Sequence, residues 1–207
     1  MTAHTPAPFF DGSFLHHWQA EILPSRPVIL PTRHFVYPQQ AEEVERGALE
    51  VLIRPAPVSS AQSDPKRPPS AQEFLATCAL GFHDPAAPNG LWSCPNPDEI
   101  CAVSGGYAYI ISTKNPKRFT MIPYRPVLEI RPVPVQNLLL FVGHHSILAW
   151  GPNGQAWQSE KLTDEGVTLE DIDGPILHGL GWNLMADKDV PFVLDLRTGL
   201  RVQVSSS

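Results

Sequence analysis

The sequence predicts an all-β protein, and three observations carry that reading. Proline contributes 23 of 207 residues, about twice its usual share of roughly 5%. Proline is costly inside helices and in central strands, so the composition favours short strands and ordered loops. Apolar runs of four to eight residues recur along the chain, separated by Gly, Pro, Asn and Asp clusters. The stretch 137–172 (NLLLFVGHHSILAWGPNGQAWQSEKLTDEGVTLEDI) reads as four strands joined by tight turns. That is a β-meander, the unit of propeller blades and of many sandwiches.

The N-terminal 23 residues read as an arm. Phe9-Phe10 and Phe14-Leu15 bracket the turn signal Asp11-Gly12, and Phe14, Leu15 and Trp18 fit one face of a short helix ending near Ile22. Residues 28–30 and 34–37 are strand candidates, and 39–46 is a polar helix or loop closed by Gly47. In 48–54 (ALEVLIR), Leu49, Val51 and Ile53 alternate with Glu50, Leu52 and Arg54, the period of a strand. Residues 55–70 (PAPVSSAQSDPKRPPS) have the composition of a flexible loop.

Residues 74–82 form a buried-type strand, followed by a loop with Asn89-Gly90 as its turn. Strands are expected at 91–94, 100–103, 107–112, 119–122 and 127–133, with Gly105-Gly106 breaking the middle pair. In 138–142 the apolar run is continuous, as in a strand covered on both faces. Gly143-His144-His145 breaks it, 146–150 resumes it, and Gly151-Pro152-Asn153-Gly154 supplies turn chemistry before 155–162. Residues 167–172 alternate as a more exposed strand, and 176–182, 190–196 and 200–204 complete the set.

The strand order repeats. ICAVSGGYAYII from Ile100 lies over LLFVGHHSILAW from Leu139, an offset of roughly 39 residues. A third copy starts at Ile176, with Thr198-Gly199 in the place of Asn153-Gly154, and a degraded fourth is expected near Phe74. Units of about 99–136, 137–174 and 175–205 within one domain, 1–207, follow. The segment Ala149-Trp-Gly-Pro-Asn-Gly-Gln-Ala-Trp157 resembles the turn-and-tryptophan part of repeats in quinoprotein-type β-propellers. The resemblance covers the last two-thirds of the chain and implies a small or incomplete propeller of repeated antiparallel four-stranded meanders. A two-sheet β-sandwich is the alternative.

Composition also excludes functions. Net charge is -6 and no basic run is long enough to neutralise a phosphate backbone, so nucleic acid is not an expected partner. No run approaches the roughly 20 apolar residues of a membrane helix, so no membrane partner is expected. Three cysteines make no even disulfide set; with no signal peptide the expected compartment is the cytoplasm, with reduced thiols. Cys78 reads as a buried hydrophobe and Cys94, beside Pro95, as the thiol nearest solvent.

Motifs for catalysis are missing. There is no GxSxG elbow, no phosphate loop and no dinucleotide fingerprint. The eight histidines show no metal-ligand spacing. His144-His145 are neighbours, and neighbours on a strand point to opposite faces. His83-Asp84, Cys94 and Cys101 lack the spacing of a metal site, so no metal and no cofactor are expected. What remains is aromatic and imidazole side chains at strand ends. If the units are alike, the breaks at Gly105-Gly106, His144-His145 and Gly181-Trp182 share one surface. The candidate ligand-binding residues are therefore His144, His145, His178, Trp182 and Tyr107. The expected function is a non-enzymatic binding or protein-interaction module for an unknown protein or small molecule. The rival is a hydrolase or lyase with a His/Asp site near the same breaks.

Overall fold

A computed structural model describes residues 9–39, 46–56, 73–82 and 87–202. It is all-β: four sheets follow one another, with a 3-10 turn at Pro134–Gln136. Sheet I has the order β2(Trp18–Leu23)-β4(Ala48–Pro55)-β5(Phe74–Ala79)-β3(His34–Tyr37). Sheet II is the meander β6(Gly90–Ser93), β7(Glu99–Ser104), β8(Tyr107–Ser112), β9(Phe119–Met121), extended at one edge by β1(Phe9–Asp11). Sheet III is β10(Glu129–Val133), β11(Leu138–Val142), β12(Ile147–Gly151), β13(Gly154–Gln158). Sheet IV is β14(Glu165–Asp173), β15(Ile176–Asn183), β16(Lys188–Asp195), β17(Leu200–Arg201).

Three apolar cores join these sheets in series. Leu49, Val51 and Ile53 of β4 meet Ile100 and Ala102 of β7 between sheets I and II. Cys101, Val103 and Ile110 meet Leu139, Phe141 and Trp150 between sheets II and III. Leu140, Val142 and Trp157 meet Val167, Leu177 and Phe192 between sheets III and IV. Alternation explains the pattern: successive residues of β7 and β11 face opposite sides, and both sides are covered. That is why these strands read as continuous apolar runs. The series is open, because no apolar core among the described residues joins sheet IV to sheet I.

Four sheets in series correct the two-sheet sandwich. The strand set expected in 137–172 is present, but its fourth strand, β14, pairs with β15 and not with β13. The unit 137–174 is therefore out of phase with the sheets, as are 99–136 and 175–205. Sheet I is no simple meander either. Its β3 runs parallel to β5, so the copy expected from Phe74 is one strand of a sheet built mostly from residues before it.

Trp18–Leu23, expected as a helix in an N-terminal arm, is an edge strand paired with β4 in register Ala20↔Ile53. The long-range ladder to β4 overrides the local helical spacing. Residues 28–30 form no strand, and Val28 and Ile29 are exposed. Of the polar segment 39–46 and the loop 55–70, residues 40–45 and 57–70 lie outside the described set, as do His83 and Asp84. Cys94 is not near solvent: all three cysteines are free and buried, Cys94 and Cys101 in one core. Burial pushes their thiols well above the ordinary range. No described helix is long and apolar enough to cross a membrane.

The buried charges have identifiable partners. On the side of β4 away from the core, the Glu50 carboxylate accepts the Thr77 hydroxyl at 2.6 Å and Arg26 Nε at 2.8 Å. Thr77 spends its proton on Glu50, so His34 Nε2, 2.8 Å from Thr77 Oγ1, must be the protonated nitrogen. At the opposite end of the stack, Glu99 opens β7. Its backbone oxygen accepts Trp18 Nε1 and its Oε2 accepts Trp150 Nε1, each at 3.0 Å. Burial raises the Glu99 pKa above the ordinary carboxylate range, against the opposing pull of Trp150 and Arg118.

A raised folded pKa gives stability that is present below the unfolded value of about 4.3 and is lost as pH rises through the folded value. Glu99→Gln keeps an acceptor for Trp150 and removes the buried charge. In urea unfolding, its stability relative to wild type is expected to improve as pH rises through that window. Glu99→Ala leaves the Trp150 N–H unpaired and is expected to lose about 1–3 kcal/mol.

Candidate functional site

The turns between second and third strands of the three meanders open at one end of the stack. They are Gly105-Gly106 between β7 and β8, residues 143–146 between β11 and β12, and 184–187 between β15 and β16. Gly105 and Gly106 have φ of 54° and 76°, the left-handed backbone that a two-residue hairpin asks of both central positions. The linkers 122–128 and 159–164 cross between sheets at this same end. The result is one continuous strip of surface.

Its course follows from hydrogen bonds and ring contacts. Gly81 and Phe82, just beyond β5, donate their backbone N–H groups to Ser104 and Gly105 oxygens at 3.0 and 2.9 Å. The Phe82 ring meets Tyr107 edge-on at 5.7 Å. Arg125, from the first linker, lies over Tyr107 at 5.4 Å, a cation–π contact. Next to it Tyr124 shares a 2.8 Å hydrogen bond with Ser146 Oγ. Gly143 lies under that ring, where an added Cβ would come within 3.1 Å. Burial raises the Tyr124 pKa, so its phenol stays neutral near pH 7.

The strip then reaches sheet IV through the second linker. Leu162 N–H donates to His145 O at 2.7 Å, and Asp164 N–H donates to Trp182 O at 2.9 Å. Asp164 Oδ1 accepts Lys161 Nζ at 2.9 Å and Oδ2 accepts the Leu184 N–H at 3.0 Å. The Lys161 hydrogen bond and the Leu184 amide hold this carboxyl below the ordinary aspartate range. The strip ends on Leu184 and Met185, 72% and 94% exposed at the tip of the last turn.

Of the residues singled out in the sequence, Tyr107, His144 and His145 lie on this strip. Both imidazoles are exposed, with ring centroids 6.0 Å apart. The other two do not join them. Gly181-Trp182 is not a break but the interior of β15, paired with Val190 and Asp189. His178 and Trp182 are on the side of β15 opposite Leu177, facing away from the core. Four residues separate them, about 13 Å along a strand. The true turn lies two residues beyond Trp182. Asn183 opens it, its Oδ1 accepting the Ala186 N–H at 2.9 Å, and Asp187 closes it at φ 51°. Tyr124 stands among the aromatics at strand ends, whereas Arg125 and Asp164 carry no signal of their own in the sequence, because linker residues look like any other turn. Among the described residues no group of three His, Cys, Asp or Glu side chains is placed to hold a metal.

No family model and no curated protein matches the sequence. Among solved structures, the N-terminal domain of Nup159 is similar at a TM-score of 0.36 and 12% identity, over 94% of this chain and 52% of that one. The chain thus spans about half the length of that structure, and no residue or role is carried over from it.

The Asp164 anchor gives a pH signature. A depressed folded pKa means that the ordered turn persists above the usual aspartate value of about 3.9 and loosens only as pH falls through the lower folded value. The Leu184 amide proton resonance should titrate with a midpoint below about 3.9. In Asp164→Ala it should show no such titration, and its hydrogen exchange should speed up.

Proposed function

We propose that the protein is a non-enzymatic binding module for another protein, and that the strip from Phe82 to Met185 is its contact surface. One observation carries the reading. Four successive sheets contribute to a single ordered surface that combines aromatic rings, two imidazoles, a cation and an exposed apolar tip. Tyr, Arg and Met are the residue types that dominate protein contact patches. The backbone and Tyr124 bonds beneath the strip hold it in shape before any partner arrives, which lowers the ordering cost of binding.

The layout of the turns supports treating the three meanders as copies of one unit. The β12–β13 turn carries Asn153-Gly154, and the β16–β17 turn carries Thr198-Gly199 at the same place. Units of this kind present corresponding turns on one face. The hydrolase or lyase reading asks for His144, His145 and His178 in one concave pocket with carboxylates. His178 belongs to another face of sheet IV, so that constellation forms no part of the proposal.

A random peptide library displayed on phage tests it. Peptides enriched on the wild-type protein should lose binding by about tenfold or more to the variant His145→Ala/Met185→Ser, measured by fluorescence anisotropy. Circular dichroism should show the variant folded. Peptides that bind both proteins equally, or no enrichment at all, would count against the strip as a contact surface.

A further inference from the structure

A cleft of about 570 Å³ opens between sheets I and II, where β2 ends, β4 begins and β7 ends. Its Ser104 Oγ and Asn89 Oδ1 atoms are sealed off, and Glu50 turns to the opposite face of β4, so none of the three offers itself to a ligand there. The two ends of the sheet series carry more. Sheets II and III have a core on both faces, and sheet IV on one. An antiparallel sheet with one solvated face normally alternates apolar-in and polar-out. Sheet IV departs from that rule. Leu180 and Trp182 of β15, Pro191 and Val193 of β16, Leu200 of β17 and Val202 just beyond it all stand on the face away from the core. None of the six is buried, and Leu200 is 65% exposed. Carboxylates mark the two ends of this face. Glu165 and Asp189 flank Trp182, and Asp173 and Asp195 flank Ile176. Among the described residues only Asp195 of these four pairs with a cation, Arg197.

Sheet I closes the other end of the series. Its β2 and β3 lie at opposite edges and run in the same direction, so residues 24–33 must cross the sheet to join them. Arg26 meets Glu50 on the face away from the core, which places the crossing on that face. Glu50 and Thr77 are buried beneath it. The crossing presents its own apolar side chains to solvent. Val28, Ile29 and Leu30 are all exposed, Ile29 by 86%, in a ridge bounded by Pro27 and Pro31. The prolines fix φ on either side, so little order is left to impose when the ridge is covered. Arg26 and Arg33 stand outside the prolines and make both ends of the ridge cationic.

We propose that these two ends bind each other between two copies of this chain. The Val28–Leu30 ridge of each copy lies on the outer face of sheet IV of the other, and the contact, made twice, closes a ring of two sets of four sheets. Charge selects this pairing. An arginine-flanked apolar ridge matches an apolar face with carboxylates at its ends, whereas sheet IV against a second sheet IV would bring those carboxylates together. The area is sufficient. With eight residues in each of β15 and β16, the face covers on the order of 400 Å². Counted on both partners and made twice, the contact buries on the order of 1,600 Å², the standard size of a stable interface. Closure also has precedent in geometry, because radial arrays of stacked meanders close with about four to eight sheets. His178 and Trp182, which lie apart from the turn strip, are then covered by the partner copy. The strip takes no part in the contact, so the two readings stand or fall separately.

Sedimentation equilibrium of the full chain tests this. The protein should reach twice the monomer mass, and no more, at concentrations on the order of 100 µM. Leu200→Asp/Val202→Asp at one end and Ile29→Asp at the other should each raise the dimer dissociation constant about tenfold or more. The three side chains are exposed in the single chain, so circular dichroism should show both variants folded. Should the double variant fail to fold, Leu200→Ser takes its place. Mixing the two variants should recover part of the dimer, because one of the two contacts then joins unaltered surfaces. Three results would each overturn the proposal. A monomer throughout that range would mean that the ends do not meet, and acrylamide quenching of Trp182 would show whether other residues of the chain shield the face. Ile29→Asp dimerising as well as wild type would mean that sheet IV pairs with itself. Species larger than a dimer would mean that the contact does not close.

Discussion

Stacked sheets share no backbone ladder, and everything else in this molecule depends on how that gap is bridged. Apolar side chains fill it, but they are non-directional and do not fix how one sheet sits on the next. Direction comes from aromatic donors whose bodies lie in one core and whose polar tips reach a neighbouring sheet. Trp18 Nε1 reaches Glu99 O, and Tyr109 Oη reaches Ala79 O at 3.0 Å, tying sheets I and II from both sides. Tyr37 Oη adds a third tie, to Pro116 O at 2.8 Å. Trp150 Nε1 ties sheet III to Glu99, and Trp157 Nε1 ties it to Leu196 O at 2.6 Å. A buried indole or phenol proton needs a partner, and each of these finds one across a sheet boundary.

Glu99 is the hinge point of that scheme. Its backbone serves sheet I and its carboxylate serves sheet III, so one residue sets both neighbours of sheet II. The carboxylate is costly to bury, which its raised pKa records. An amide in its place would accept the same indole proton without the charge. The fold therefore carries a pH-sensitive joint at one end, while the turn strip and the cleft lie towards the other.

The turn strip and the cleft arise from the same architecture in different ways. Turns crowd one end because each meander has its second-to-third hairpin there, and the inter-sheet linkers cross beside them. The cleft forms where sheet I breaks the pattern. Residues at the start of β4, Asn89 just before β6 and the buried Ser104 that ends β7 line it. Regularity supplies a surface, and departure from regularity supplies a pocket.

The sequence by itself determined the strands of sheets II to IV and most of their turns, but not β1, which reads as part of an arm and instead adds a parallel edge strand to sheet II. Apolar runs bounded by Gly, Pro and Asn are local signals, and the backbone obeys them locally. It also placed His144 and His145 at a surface turn, because Gly143 interrupts an otherwise continuous run. It did not determine which strand pairs with which. Thr163-Asp164-Glu165-Gly166 has the residues of a hairpin, yet it leads from one sheet to the next. Gly174, with φ 56°, turns the chain within sheet IV. Turn residues describe how the chain bends, whereas pairing depends on which apolar face each strand can cover, a choice made by strands far away in sequence. The same reason hid Trp18–Leu23, whose partner β4 begins 25 residues beyond its end, and the cleft, whose lining comes from both sheets I and II. Only tertiary structure decided those.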